Sequence, residues 1–304
     1  MSDPTDSLGP LVSDRMAVLP QYLLPKRALT ELMGDVANAR GRGATTGAIR
    51  WFIDRYRVNM AEAANPDPAA YATFNEFFTR ALAPGVRPLA RADLVCPVDG
   101  AISQFGAIDG DAILQAKGHT YTVQALVGGD AQVARPFLGG RFATIYLSPR
   151  DYHRIHMPCS GVLRRMIHVP GDLFSVNPTT ARGVPGLFAR NERVVCLFEN
   201  ARGPWVLVLV GATIVGSMAT VWHGVVNPPR PGQLREWRYD GPQAPSLRQG
   251  DEMGRFLLGS TVVLLFPGAL DFNAAWRPGG AVRMGEAMAA YPNSPGAALS
   301  PASL

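Results

Sequence analysis

Lysine is almost missing from this chain. Lys26 and Lys117 are the only two in 304 residues, and arginine carries nearly all the positive charge. The formal charge of +5 is small and scattered; it gives no reason to expect a nucleic-acid partner and suits an anionic membrane surface better. Cysteine is scarce too: Cys96, Cys159 and Cys196 form no CxxC pair, so neither a disulfide framework nor a zinc ribbon is implied. No run of about 18 apolar residues is present, so no membrane-spanning helix is expected. The opening MSDPTDSLGPLVSDR carries no basic segment ahead of an apolar core. No secretory leader is therefore expected, and a reducing, cytosolic setting follows. Regular strand-helix alternation is also missing, which argues against Rossmann and barrel arrangements.

What is present is a globular chain, 47% hydrophobic, with 32 glycines and 26 prolines placing many turns between short segments. Residues 1–15 read as disordered, and Pro20 and Pro25 are expected to break 16–36 into short helices, the clearest at 27–36. A second amphipathic helix is expected over 48–60 and a third, short one over 74–80. Between Lys26 and Arg57 seven basic residues face Glu31, Asp35 and Asp54, a net +4. Basic amphipathic helices bearing Trp51 and Phe52 suit a membrane interface, although packing on the protein core explains the pattern equally well. From residue 94 the texture changes to strands, expected at 94–98, 112–115, 142–147, 162–169, 193–198, 206–210, 212–218 and 262–266. The stretch 227–250 reads as a long polar excursion and 291–304 as a disordered tail. The expectation is an α+β fold: an N-terminal helical membrane-association region (1–65), a mainly antiparallel β-rich catalytic domain (66–290) and the tail (291–304).

Within 254–266, GRFLLGSTVVLLF, a Gly-Ser pair separates two apolar segments. A bulge or tight turn is the plain account. The chemical account is that the Ser260 hydroxyl, next to the Gly259 carbonyl in a strained backbone, attacks it once a base removes its proton. The stretch 146–159, YLSPRDYHRIHMPC, leaves a strand and carries His153 and His156. Asp99, in CPVDG, ends another strand, where an Asp-Gly turn is the plain account. Asp99, His156 and Ser260 supply an orienter, a base and a nucleophile. The Gly-x-Ser-x-Gly elbow is absent, which argues against an esterase acting on outside substrates. A metal on His153, His156 and Cys159 would lack a fourth ligand, so no metal is expected.

Five motifs carry a resemblance. They are Phe74-Asn-Glu-Phe-Phe78, the 146–156 stretch, Pro170-Gly-Asp-Leu-Phe-Ser-Val-Asn177, Phe188-Ala-Arg-Asn-Glu-Arg193 and Leu258-Gly-Ser-Thr261. In this order, over about residues 19 to 266, they closely resemble the bacterial phosphatidylserine decarboxylases. The resemblance implies a pyruvoyl enzyme made by self-cleavage. Ser260 would attack the Gly259 carbonyl, and the ester would eliminate to a dehydroalanine that hydrolyses to a pyruvoyl group and ammonia. A β chain (1–259) and an α chain (260–304) would then form a heterodimer, and the family's matching aspartate and histidine fall on Asp99 and His156. Phosphatidylserine in an anionic membrane would be the substrate, met by a peripheral protein on the cytoplasmic face.

The implied chemistry fits these residues. Losing carboxylate from an amino acid leaves electron density that needs a sink, and a ketone forming a Schiff base with the substrate amine provides it. His153 is the candidate proton donor to the resulting carbanion, with a structural or phosphate-contacting role as the alternative. Arg150 and Arg154 are candidate contacts for the lipid phosphate or the serine carboxylate, or else solvated charges. Lys117 is not needed as a Schiff-base lysine. The rival readings are a hydrolase using Ser260, His156 and Asp99, and a membrane-binding module without catalysis.

Overall fold

The segments 205–210 (WVLVLV) and 262–266 (VVLLF) are apolar throughout, as a strand covered on both faces requires. Both lie in the middle of a large antiparallel sheet. The computed structural model describes residues 8–116, 118–213, 217–228, 230, 232–257, 260–292 and 294. Its strands are β1 (Leu94–Val95), β2 (Gly100–Ala107), β3 (Ala112–Ala116), β4 (His119–Thr122), β5 (Arg141–Leu147), β6 (Arg154–His156), β7 (Gly161–Val169), β8 (Arg193–Asn200) and β9 (Gly203–Val210). They continue as β10 (Met218–Thr220), β11 (Gly224–Asn227), β12 (Arg235–Arg238), β13 (Ser246–Leu247), β14 (Glu252–Phe256), β15 (Ser260–Phe266), β16 (Asp271–Phe272), β17 (Ala281–Val282) and β18 (Ala287–Ala290). The large sheet runs β12-β7-β8-β9-β15-β5-β2-β17, with β13 also on β7.

Successive side chains on a strand point to opposite faces, and β9 and β15 divide accordingly. Trp205, Leu207, Leu209, Val262, Leu264 and Phe266 enter one core, whereas Val206, Val208, Val210, Val263 and Leu265 enter another. The sheets β11-β10-β14-β6 and β1-β18-β16 cover the first core, contributing Ile155, Met253, Phe256 and Met288. The β3-β4 hairpin and four short helices, at 123–126, 131–134, 178–183 and 187–190, cover the second. Burying each such aliphatic side chain contributes about 1.5–3 kcal/mol.

The helices are α1 (Leu8–Leu23), α2 (Lys26–Asn38), α3 (Gly43–Tyr56), α4 (Phe74–Phe78), α5 (Val123–Leu126), α6 (Ala131–Ala134), α7 (Pro178–Gly183) and α8 (Leu187–Arg190). α1 docks on α7: Arg182 donates to the Asp14 carboxylate at 2.6 and 3.1 Å, and Gln21 donates to Thr180 Oγ1 at 3.2 Å. Gly183 permits this contact, because a Cβ there would meet the Asp14 carbonyl at 2.8 Å. α3 turns Ile49, Phe52 and Tyr56 inward, with Phe52 set edge-on to Phe74 at 5.1 Å. Thr73 caps α4 by accepting the Glu76 N–H at 3.1 Å.

The α+β reading holds, with several differences in detail. Residues 8–15 are helical and Pro20 lies inside α1, because docking on α7 outweighs the hydrogen bond that proline removes. Residues 1–7, part of the stretch read as disordered, lie outside the described residues, as do 293 and 295–304 of the expected tail. α3 begins at Gly43 and stops where Arg57 adopts a left-handed conformation, φ 55°. Of the expected strand over 212–218, residues 214–216 lie outside the described residues, 212–213 belong to no strand, and β10 starts at Met218. There the Asn191 side chain donates to the Gly211 carbonyl and the Asn227 side chain accepts from the Met218 N–H, which replaces ladder bonds. The 227–250 excursion contains β12 and β13, both paired with β7, and Glu236 bridges to Arg165 at 2.9 Å. Asp99-Gly100 is no turn. It leads into β2, and Gly100 is needed because a Cβ there would strike the Tyr146 carbonyl.

Candidate active site

Antiparallel pairing gathers the sequence motifs at one end of the large sheet. Ser260, at the start of β15, pairs with Leu147 at the end of β5, and Thr261 pairs with Val210 at the end of β9. Val210 also pairs with Arg193 at the start of β8, Arg193 with Val169 at the end of β7, and Ala101 near the start of β2 with Tyr146. The segments holding Asp99, 148–156, 170–177, 191–193 and 260 therefore emerge side by side. Gly259 lies outside the described residues, as does the side chain of Ser260.

Asp99 is buried and held from two sides. Arg87 donates to it from Nη2 at 2.6 Å and from Nε at 3.0 Å, and the Met284 N–H donates at 2.8 Å. Arg87 also donates to Glu62 at 2.6 Å, a contact that holds the Glu62 carboxyl below its usual range. A bidentate arginine on a carboxylate fixes its orientation.

His156 pairs Nδ1 with the Gly250 carbonyl at 2.8 Å and Nε2 with the Tyr152 hydroxyl at 2.9 Å. A carbonyl only accepts, so Nδ1 carries the hydrogen and Nε2 the lone pair, as a base requires. The main chain thus fills the orienting position here, and Asp99 acts on the ring through its charge. Burial pulls the His156 pKa down. His153 repeats the arrangement more deeply: Nδ1 faces the Asp151 carbonyl at 2.8 Å and the Phe78 ring lies 4.0 Å away. Its Nε2 is buried without a partner among the described residues. Burial, helped by the charge of Arg80, depresses its pKa to about 3. His153 therefore rests neutral, with a lone pair that has no partner among the described residues.

A cavity of about 550 Å³ opens beside these groups, lined by Asp99, Tyr146, Ser148, Asp151, Tyr152 and several arginines, Arg150 among them. Arg154 has a different setting. Its Nε donates to the Thr79 carbonyl and its Nη1 to Glu252, both at 2.8 Å, so it ties β6 to β14 and to the end of α4. His153, His156 and Cys159 converge on no common point, and no group of three metal-ligating side chains forms among the described residues. No helix among them is long and apolar enough to cross a membrane.

Residues 74–290 match the family model described as phosphatidylserine decarboxylase, and 16–57 match a second one described as PSD. A phosphatidylserine decarboxylase proenzyme from Albidiferax ferrireducens is 75% identical over 280 residues, covering 92% of this chain and 98% of that protein. Proteins of the same name from Azoarcus sp. and Dechloromonas aromatica are 71% and 68% identical, over 91% and 93% of the chain and 96% and 100% of their own lengths. The chain belongs to the phosphatidylserine decarboxylase family. Several residues around this cluster carry no signal as single positions. In the sequence Arg80 stands only at the end of a short helix, Tyr152 only within a motif and Gly250 only at the end of the 227–250 excursion, and Arg87 has no distinguishing pattern. Gly250 is a glycine for a physical reason: φ is +86° and a Cβ would strike Leu89.

Proposed function

We propose that the protein converts phosphatidylserine to phosphatidylethanolamine and carbon dioxide after cutting itself between Gly259 and Ser260. The observation that carries this reading is the family match over 74–290, which spans that peptide bond, to relatives named as proenzymes. In the cut, the Ser260 oxygen forms an ester with the Gly259 carbonyl carbon as the C–N bond breaks. Elimination then releases the glycine carboxylate and leaves a dehydroalanine, whose hydrolysis yields ammonia and a pyruvoyl group.

The residues at hand suit that group, since the buried Nε2 of His153, without a partner among the described residues, belongs to the cluster of segments where β15 begins. A pyruvoyl group at position 260 would supply the electron sink for loss of the carboxylate. His156 Nε2, with its tautomer fixed by Gly250, takes the Ser260 proton, and Asp99 stabilises the imidazolium that forms. His153 Nε2 can relay a proton to Cα once carbon dioxide has left, without holding that proton at rest. Arg150 lines the wall where the lipid headgroup enters.

The substrate lies in an anionic membrane, and the protein meets it peripherally from the cytoplasmic side. Supporting this, Met16, Leu19 and Tyr22 on α1 and Leu32 and Val36 on α2 are exposed, as is Trp51 on α3. Phe52, by contrast, is turned to the interior. Cleavage gives a heterodimer of chains 1–259 and 260–304. A denaturing gel with mass spectrometry of the small fragment, alongside carbon dioxide release from carboxyl-labelled phosphatidylserine, tests the proposal. Wild type should split at Gly259–Ser260 and release label; Ser260→Ala should remain one inactive chain. A Ser260→Ala protein that still splits there would sink the reading.

A further inference from the structure

Arg80 follows the C-cap residue of α4 and is only 5% exposed. Its Nη2 donates to the Arg150 carbonyl at 3.2 Å, while Nε and Nη1 have no partner among the described residues. A guanidinium does not surrender its proton in a protein. Three of its N–H bonds are thus buried without an acceptor among the described residues, and its charge has beside it one carbonyl and the face of the Phe77 ring, 5.4 Å away. Asp99, Asp151 and Glu62 act on it only at a distance. An unpaired buried cation is destabilising unless an anion completes it.

The surroundings indicate where that anion comes from. Arg80 lines the 550 Å³ cavity together with Arg57, Arg150 and Arg283. Its neighbour Phe78 lies on His153, whose pKa the Arg80 charge helps to lower. The charge therefore sits where the cavity meets the proton-handling group. Arg154, by contrast, is engaged by Glu252 and Thr79.

We propose that Arg80 anchors the phosphodiester of the lipid headgroup inside this cavity, an inference that rests on the reading of the protein as a phosphatidylserine decarboxylase. The headgroup offers two anions, and the reaction separates them. The carboxylate leaves as neutral carbon dioxide, so a strong ion pair to it would stabilise the ground state over the transition state and slow the step. The phosphodiester keeps its charge throughout, and holding it tightly does not oppose the chemistry. A planar guanidinium with unused donors matches such an oxyanion pair.

The test uses full-length Ser260→Ala protein, which should bind without turnover, titrated calorimetrically with glycerophosphoserine, glycerophosphoethanolamine and O-acetylserine. Adding Arg80→Gln should weaken both phosphodiesters by about ten- to a hundredfold, the range for hydrogen bonds to a charged group, and leave O-acetylserine unchanged. Arg80→Lys should fall between. In the cleaving protein, Arg80→Gln should raise KM for phosphatidylserine by more than it lowers kcat. A loss confined to the two carboxylate-bearing ligands would make Arg80 a carboxylate contact and overturn the proposal. Equal affinities with and without Arg80, or no phosphodiester binding to Ser260→Ala, would overturn it as well. If Arg80→Gln fails to fold, by circular dichroism, Arg80→Lys decides. A wild type that binds glycerophosphoethanolamine through Arg80 yet releases no carbon dioxide would overturn the parent reading and leave the anion site standing.

Discussion

Replacing His153 by glutamine should flatten the acid side of the stability profile. The ring is fully buried, and burial together with the Arg80 charge holds its pKa at about 3, against an ordinary 6.5. The unfolded chain takes up a proton below pH 6.5 that the folded protein refuses until about pH 3. The stability this residue allows is therefore complete above the unfolded value and is lost as pH falls toward the folded one. One pH unit is worth about 1.4 kcal/mol per proton. Between pH 7 and pH 4.5 the residue should thus remove about 2.5 kcal/mol by itself. Glutamine does not titrate and can still donate to the Asp151 carbonyl. His153→Gln should lose about 2.5 kcal/mol less than its parent over that interval, whatever it loses at pH 7. His156, also held down by burial, is present in both proteins and cancels. Urea unfolding at the two pH values, with both proteins carrying Ser260→Ala so that each is one chain, measures the difference. Equal losses would show that water reaches His153 and that it titrates normally.

Three other outcomes are expected. His156→Ala and Asp99→Ala should accumulate uncleaved chain on a denaturing gel, whereas His153→Ala should cleave and release little labelled carbon dioxide; the opposite partition would exchange the two histidines. Arg87→Met should cost about 3–5 kcal/mol in urea unfolding, as breaking a buried pair does. Glu62→Gln should cost about 1 kcal/mol or less, because it leaves Arg87 on Asp99; equal costs would mean that Asp99 is not the main partner. Leu19→Glu with Leu32→Glu should reduce co-sedimentation with anionic vesicles, and wild-type binding should weaken as salt rises. Unchanged sedimentation of the double variant would place the anchor elsewhere on the protein.

The parts of the fold legible in the sequence are those where burial writes a continuous apolar run, as in β9 and β15. β2 was missed because GAISQFGA is mostly half-buried and has no such run. α1 was obscured by Pro20, since local propensity carries no information about the α7 surface that holds the helix. At the site, residue types and motifs named Asp99, His156, His153 and Ser260, and pairing of strand ends brings their segments together. The partners of those residues were not legible. Arg87 reaches Asp99 across a loop, Gly250 meets His156 from far along the chain, and Tyr152 reaches it from the segment that enters β6. Each depends on how separate segments lie in space, which no spacing rule encodes.

The position of β15 constrains how such an enzyme can be made. Seven pairs join it to β5 and five join it to β9, and its side chains fill cores on both faces. A fragment starting at Ser260, released alone, would present two unpaired edges and two apolar faces, the properties of an aggregation-prone strand. The remainder would have a slot through the centre of its sheet. Neither piece could wait for the other, so two separately translated chains are a poor route to this assembly. Synthesis as one polypeptide, with the break made only after the sheet has closed, avoids both exposed intermediates. It also leaves the new chain terminus opposite Leu147 at the end of β5, locked in register by strands on either side.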